Sequence, residues 1–308
     1  MAGVMHLTHL RDLAVDTPLP CGHAFLSAAS GMVVCGSALY VVADDAQCLG
    51  VFDLGGAGPG RLIPLIAGNL PRDAAARKKL KPDFEILLAL PCAAGTRLLA
   101  LGSGSTVQRM RGAVVDLPPH GAGRSAPAPD ALTNVRLIDL QALFAAIGPL
   151  VPEINLEGAV LQAAELLLFN RGNSAHPVSQ VIAVPLAEVL EGGPVTARLR
   201  AELRLPDVAG VPLTVTDACQ LENGHFLLSA AAEATDNSYA DGALVGAAIV
   251  ELGADLAVRN VEPLDPVLKV EGLSAQIMAD GVHLLCVTDA DDPDQPSGLY
   301  RGVFAARA

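Results

Sequence analysis

Residues 271–289 read EGLSAQIMADGVHLLCVTD, and this stretch decides the fold. An acidic residue followed by Gly opens a short apolar segment, Gly281 marks a turn, and an apolar strand then ends at Thr288 and Asp289. Two apolar runs joined by a Gly-containing turn indicate a β-hairpin, because Gly permits the positive φ that tight turns demand. The stretch therefore predicts two antiparallel strands with polar ends.

The same plan occurs five times along the chain. The residues that open the five units are Ser30, Glu85, Glu157, Asp217 and Glu271. A third apolar segment follows in all five units, and a fourth follows in the first four. Groups of four short strands repeated at similar spacing are typical of β-propellers, in which each group forms one blade. The sequence predicts an all-β fold, a five-bladed β-propeller of four-stranded blades.

The two ends of the chain supply the missing strand of the fifth blade. The last unit ends after three strands, whereas a spare strand-like segment, residues 6–15, precedes the first unit. Pairing this N-terminal strand with the last blade closes the ring and leaves no open sheet edge. Residues 1–308 are therefore predicted to form one domain. A six-bladed propeller is the alternative, because the second unit is the longest.

Three short helical segments and one irregular loop are expected between the strands. Helical turns are predicted at residues 72–80, 141–147 and 185–191. The Pro-rich segment 116–134 is interpreted as a surface excursion within the second unit.

Composition excludes several classes of function. The formal net charge of −13 argues against a nucleic-acid surface, because phosphate binding requires clustered Lys and Arg. No apolar run approaches the ~20 residues of a membrane-spanning helix, and the N-terminus lacks the apolar core of a signal peptide. The six cysteines are scattered without a CxxC motif, which favours buried thiols over a disulfide framework. A cytoplasmic protein with no membrane partner is predicted.

The opening residues are expected to form a ring, because the first strand of each propeller blade lines the central channel. Four of the five are acidic, and two carboxylates about 7 Å apart repel by roughly 2 kcal/mol at an effective dielectric of about 20. A bound cation, interleaved basic residues such as Arg171 and Lys81, or protonation would relieve this repulsion. Calcium suits carboxylates and water in a channel, because it takes 6–8 oxygen ligands in flexible geometry.

Polar residues at the ends of the second strands are expected to reach the same mouth of the channel. They include Asn170, Arg171 and Asp289. A guanidinium at Arg171 would bridge the acids or bind an anion. Ser30, Glu85, Asp217, Arg171 and Asn170 are therefore the predicted ligand-binding residues.

Residues 270–300 also resemble a known group of propellers. Glu271-Gly272, the Gly turn and the apolar strand ending at Asp289 resemble the esterase-like phytase and SdiA-regulated propellers. Glu157-Gly158 repeats the pattern. The resemblance implies a carboxylate-lined channel that holds calcium, with Glu157, Glu271 and Asp289 facing the metal, and phosphoester chemistry in phytase-like members.

Three functions are compatible with these observations. The first is a binding module whose acidic channel takes a cation or a small ligand. The second is a metal-dependent hydrolase of a phosphoester or lactone, with Glu85, Glu157 or Glu271 as the base. The third is a protein-interaction scaffold in which the channel is incidental. The binding module is the favoured prediction.

Overall fold

A computed structural model describes residues 3–92, 95–117, 134–237 and 242–305. Residues 118–133, most of the segment interpreted as a surface excursion, lie outside the described residues.

The strands form five antiparallel sheets of four, numbered here in chain order after an N-terminal strand, β1 (Thr8–Asp12). Blade one consists of β2 (Ala29–Cys35), β3 (Ala38–Ala43), β4 (Cys48–Asp53) and β5 (Arg61–Pro64). Blade two consists of β6 (Phe84–Cys92), β7 (Gly95–Gly102), β8 (Arg111–Leu117) and β9 (Val135–Asp139). Blade three consists of β10 (Leu156–Gln162), β11 (Glu165–Asn170), β12 (Ser179–Pro185) and β13 (Arg198–Leu203).

A two-stranded hairpin of β14 (Asp207–Val208) and β15 (Val211–Pro212) connects blades three and four. Blade four consists of β16 (Thr214–Gln220), β17 (Phe226–Ala234), β18 (Ala243–Leu252) and β19 (Val258–Pro263). Blade five consists of β20 (Val270–Met278), β21 (Gly281–Thr288), β22 (Gly298–Phe304) and β1.

The N-terminal strand closes the ring. Strand β1 pairs antiparallel with β22, from Thr8 opposite Arg301 to Asp12 opposite Gly298. The innermost strands β2, β6, β10, β16 and β20 contact one another in that order, and β20 returns to β2. The predicted five-bladed propeller with its N-terminal closing strand is confirmed, and the six-bladed alternative is wrong.

The hydrophobic core lies between the blades, not in one central layer. Both faces of a middle strand are covered by neighbouring blades, so such strands are apolar along their whole length. Strand β3 (ALYVVA), for example, is buried at every residue. Five apolar clusters fill the five interfaces, with Tyr40 and Phe84 between blades one and two and Phe169 and Phe226 between blades three and four.

Three short helices join the strands: α1 (Ala74–Leu80), α2 (Gln141–Ile147) and α3 (Leu186–Glu191). Helix α1 begins at Asp73, whose side chain accepts a hydrogen bond from the Ala76 N–H at 2.8 Å, and it ends at Lys81. This helix carries Arg77 to the wall of the channel. Across the described parts of the chain, no helix has the length and apolar character needed to cross a membrane.

Candidate functional site

Each innermost strand carries a β-bulge at its second or third residue, and in four of the five blades the bulged residue lines the channel cavity. The pairing of the first and second strands skips one residue in every blade. The skipped residues are Ser30, Glu85, Glu157, Thr216 and Glu271. An unpaired bulge residue turns away from the regular alternation of the strand. Four of these five positions agree with the residues predicted from the repeat.

The fifth predicted position, Asp217, is wrong by one residue. The bulge of blade four lies between Val215 and Asp217, so Thr216 takes the bulge position, although this buried side chain does not line the channel cavity. Asp217 does not line the channel cavity; its carboxylate accepts a hydrogen bond from the Leu273 N–H of blade five at 2.7 Å. Burial raises the pKa of Asp217 well above its ordinary value. In the sequence repeat it takes the place of the Gly residues that follow Ser30, Glu157 and Glu271.

Those Gly residues are required because neighbouring blades approach closely there. A Cβ atom at Gly158 would lie 2.8 Å from the backbone N of Ala218, and one at Gly31 would lie 3.0 Å from the backbone N of Leu87. The Glu-Gly pattern therefore combines a channel residue with a contact between blades.

The two hydroxyl residues of the ring connect adjacent blades. Ser30 Oγ donates a hydrogen bond to the Phe84 carbonyl, and Thr216 Oγ1 donates one to the Val270 carbonyl at 2.6 Å. In both cases the acceptor immediately precedes the glutamate of the next blade. The hydroxyls therefore help to position Glu85 and Glu271.

Two basic residues neutralise the acids on one side of the channel. Arg171 lies 3.5 Å from Glu157, 3.2 Å from Glu233 and 3.9 Å from Glu271. The ammonium group of Lys269 lies 2.9 Å from Glu233 and 3.3 Å from Glu271. Charged groups that are buried require such partners, because isolated burial of a charge is costly. Interleaved basic residues are thus one of the remedies that relieve the repulsion.

A second charged group lies where blades one and two meet. Lys81 forms ion pairs with Asp44 and, at 2.8 Å, with Asp83. Arg109 donates to the other oxygen of Asp83 at 2.8 Å. These acids are also paired.

Glu85 lies between the two groups and has no such partner. Only 8% of its surface is exposed, it lines the cavity, and within the described part of the chain it receives no side-chain hydrogen bond or ion pair. Burial first, and then the nearby carboxylates Asp83 and Glu157, raise the pKa of Glu85 well above its ordinary value. Its environment therefore favours the neutral, protonated form.

The spacing of three channel carboxylates matches the needs of calcium, whereas their charge partners do not. One oxygen each of Glu85, Glu157 and Glu271 lies within 4.8 Å of the others, a separation that metal–oxygen bonds of about 2.3–2.6 Å would span. Two of the three acids, however, already contact Arg171 or Lys269. The charge of the site fits calcium poorly, although its spacing fits. Calcium binding stays a prediction.

Asp289 and Asn170 lie in different surroundings. Asp289 lines the cavity, and its Oδ1 accepts a hydrogen bond from the Asp291 N–H at 2.8 Å. Asn170 is buried and does not line the cavity. Its side chain accepts from the Asn155 N–H at 2.7 Å and donates to Gln180 at 2.9 Å, which ties strands together.

The channel glutamates and the charged residues around them surround a cavity of about 300 Å³ at the mouth of the channel. Its walls carry ten acidic and six basic residues, so the formal charge is negative although both signs are present. A volume of this size is at the lower end for small-molecule sites.

Several residues of the site were missed by the repeat analysis: Asp83, Arg109, Asn155, Glu233 and Lys269. A signal for three of them was present. Asp83, Asn155 and Lys269 each precede the channel residue of their blade by two positions. Residues two apart in a strand share a face, so this spacing is the signal that could have placed these polar side chains beside the channel glutamates.

The chain belongs to the family of unknown function DUF6929, whose model matches residues 25–303. No curated protein matches the chain. The family match does not reproduce the resemblance to phytase-like and SdiA-regulated propellers, which stays a prediction.

Solved structures show the same fold at low identity. The exo-β-1,3-galactanase of Phanerochaete chrysosporium with galactose is 10% identical with a TM-score of 0.51, covering 96% of this chain and 64% of that one. A candidate exo-β-1,3-galactanase of Bifidobacterium bifidum s17 is 10% identical with a TM-score of 0.50, covering 97% and 95%. The chain thus spans about two thirds of the fungal enzyme chain. At this identity the likeness concerns the fold alone.

Proposed function

We propose that this protein binds a small polyhydroxylated molecule in the channel cavity and that Glu85 contacts it. The observation that carries the proposal is the unpartnered, buried carboxyl of Glu85 on the cavity wall. A carboxyl that faces the cavity without a hydrogen bond from another side chain is available to a ligand. A hydroxyl group of a ligand would supply the missing partner.

The remaining walls suit hydroxyl groups for the same reason. Carboxylates accept hydrogen bonds, whereas guanidinium and ammonium groups donate them, and a hydroxyl does both. Arg171 and Lys269 are held by Glu233, so their directions are set before a ligand arrives. Such preorganisation lowers the entropic cost of binding. The cavity volume of about 300 Å³ restricts the ligand to a small one.

Isothermal titration calorimetry with monosaccharides and linear polyols tests this proposal. We expect saturable binding of at least one of them to the wild-type protein. Glu85→Leu removes the hydrogen-bonding group and should weaken that binding roughly tenfold or more. Glu85→Gln keeps a donor and an acceptor, as a protonated carboxyl does, and should retain most of the affinity. Glu222→Gln, at an exposed glutamate, is the matched control.

Other outcomes would contradict the proposal. If no compound of the panel binds, or if Glu85→Leu binds as tightly as wild type, the ligand class or the contact is wrong. Titration of chelator-treated protein with Ca²⁺ provides a separate arm. Calcium binding lost in both Glu85→Leu and Glu85→Gln would replace the polyol with a cation, because a metal requires the ionised carboxylate.

Hydrolysis is a second candidate function, favoured by the raised pKa of Glu85. A general acid must hold its proton near neutral pH, and a buried carboxyl close to other acids does so. Glu157 and Glu271 each have an oxygen within 4.8 Å of one of Glu85, as a site with two cooperating carboxyls requires. In such a reaction Glu85 would donate its proton to the glycosidic oxygen as its C–O bond breaks, and water would form the new C–O bond and give its proton to the second carboxylate.

Release of reducing sugar from a panel of disaccharides tests the second candidate. Such substrates have poor leaving groups, so their hydrolysis depends on the acid. Glu85→Gln should lower kcat about 100-fold or more while sugar binding persists. If the wild-type protein binds a sugar but does not hydrolyse any of the disaccharides, the hydrolase hypothesis is wrong and the binding function stands.

A further inference from the structure

A second cavity of about 450 Å³, here called the side cavity, lies beside blade one and outside the channel. It is enclosed by the segment 17–21, the loop before β4, strand β5 and the segment that leads to α1. It is larger than the channel cavity and differs from it in chemistry. None of the glutamates of the channel ring lines it.

The walls of the side cavity are mainly apolar. They include Leu19, Cys48, Leu62, Pro64, Ile66 and Leu70. Apolar walls of this kind favour an apolar ligand body, because its binding removes hydrocarbon surface from water.

Two oxygens of its lining residues lack partners. Asp45 Oδ1 and Gln47 Oε1 are buried, and neither has a hydrogen-bond partner among the residues that the structure describes. The other oxygen of Asp45 accepts from Ser27 Oγ at 3.3 Å, on the side of the channel cavity. Unpaired buried acceptors indicate a place for a hydrogen-bond donor. The side cavity thus combines an apolar wall with two acceptors.

The charge around these acceptors narrows the ligand class. Asp45 and Arg77 line both cavities, and their side chains are 3.8 Å apart, so this ion pair forms part of the wall between them. The Arg77 guanidinium also donates to the Arg72 carbonyl at 3.0 Å. A cationic ligand would be repelled by Arg77, and an anionic ligand by Asp45. A neutral donor avoids both costs.

We infer that the side cavity is a second binding site, for a neutral small molecule with an apolar body and an N–H or O–H donor at one end. The donor contacts Gln47 Oε1 and Asp45 Oδ1, and the body packs against Leu62, Ile66 and Leu70. This site is independent of the polyhydroxylated ligand proposed for the channel.

Titration of methyl-labelled protein with 3-phenylpropanamide, followed by NMR, tests the inference. Saturable shifts are expected at the methyl groups of Leu62, Ile66 and Leu70, with no shift at the distant core residue Ile249. The N,N-dimethyl analogue has the same apolar body but no donor, so it should bind about three- to tenfold more weakly.

Variants separate the donor contact from simple partitioning into an apolar space. Gln47→Leu should abolish most of the preference for the primary amide, whereas Gln276→Leu at an exposed position should leave it unchanged. Asn69→Trp, at an exposed residue on the rim, should reduce the affinity for both probes by obstructing the cavity. Because Gln47 is partly exposed, its replacement should not prevent folding.

The inference is overturned if neither probe produces saturable shifts at the three methyl groups, or if both probes bind equally well in wild type. The donor contact is also overturned if Gln47→Leu prefers the primary amide over its N,N-dimethyl analogue as strongly as wild type does. Glu85→Leu provides the separation from the channel: amide binding should persist in this variant. Loss of amide binding there would place the probe in the channel instead.

Discussion

Glu85 and Glu233 lie on the walls of the same cavity, are almost equally buried, and have opposite electrostatic surroundings. Burial and neighbouring acids raise the pKa of Glu85. Burial would also raise the pKa of Glu233, but Arg171 and Lys269 together outweigh it and lower that pKa below its ordinary value. At Glu233 the basic partners therefore outweigh burial, whereas at Glu157 burial outweighs the contact with Arg171 and the pKa stays raised.

This difference divides the cavity into a supporting side and an open side. Glu233 is committed to two ion pairs, which hold Arg171 and Lys269 in place. Glu85 is committed to none, so its carboxyl is available to a ligand. Four substitutions test this difference between the two sides.

Loss of Arg171 should have the largest effect on stability. Arg171→Leu leaves Glu157, Glu233 and Glu271 with fewer basic partners in a buried site, and the free energy of unfolding should fall by about 3–5 kcal/mol. Chemical denaturation at neutral pH measures the change. Arg200→Leu, at an exposed arginine of β13, is the matched control and should change stability by less than about 0.5 kcal/mol. Similar losses in both variants would show that Arg171 does not organise the cavity.

Glu233→Gln should destabilise the protein by about 1.5–3 kcal/mol at neutral pH, because it removes two charge-assisted interactions. A carboxyl whose pKa is lowered in the folded state stabilises the fold at pH values above its ordinary pKa. This stabilisation is lost as pH falls through the pKa of the folded state. The difference from wild type should therefore shrink as pH is lowered below about 4. Denaturation midpoints at pH 7 and pH 3.5 test this, and a difference that grows in acid would contradict it.

Glu85→Gln should change stability in the opposite direction to Glu233→Gln. It should stabilise the protein by about 1–2 kcal/mol at neutral pH. Because the pKa of Glu85 is raised in the folded state, this carboxyl stabilises the fold most below its ordinary pKa, about 4.3. The stabilisation is lost as pH rises through the pKa of the folded state. The advantage of the variant should thus increase with pH from about 4 upward. Destabilisation at pH 7 would indicate a hidden cationic partner. Glu222→Gln is again the control.

Thr216→Val should produce the smallest of these effects, a loss of about 1 kcal/mol. The substitution preserves shape but removes the hydrogen bond to the Val270 carbonyl, which precedes Glu271. Thermal denaturation measures the loss. If this hydroxyl positions the ring, Thr216→Val should also weaken ligand binding in the channel, whereas an unchanged affinity would confine Thr216 to a role between blades.

Parts of the site were predictable and parts were not, and blade four shows the boundary. Its repeat contains both Thr216 and Asp217, and pattern alone favours the acid, because the other acidic openings are channel residues. The bulge is displaced by one residue, and such a shift changes which residue takes the bulge position, so neither Thr216 nor Asp217 lines the channel cavity. The Leu273 N–H of the neighbouring blade binds Asp217 instead, and that neighbour is 56 residues away in the chain.

The number of blades, the closing N-terminal strand and the positions of Ser30, Glu85, Glu157 and Glu271 were predictable from the residues alone, because alternation and turn residues act over short separations. Only the tertiary structure decided that Arg171 and Lys269 neutralise one side of the channel while Glu85 stays without a partner. Electrostatic energy depends on distances between atoms from different blades, and those distances exist only once the ring has closed.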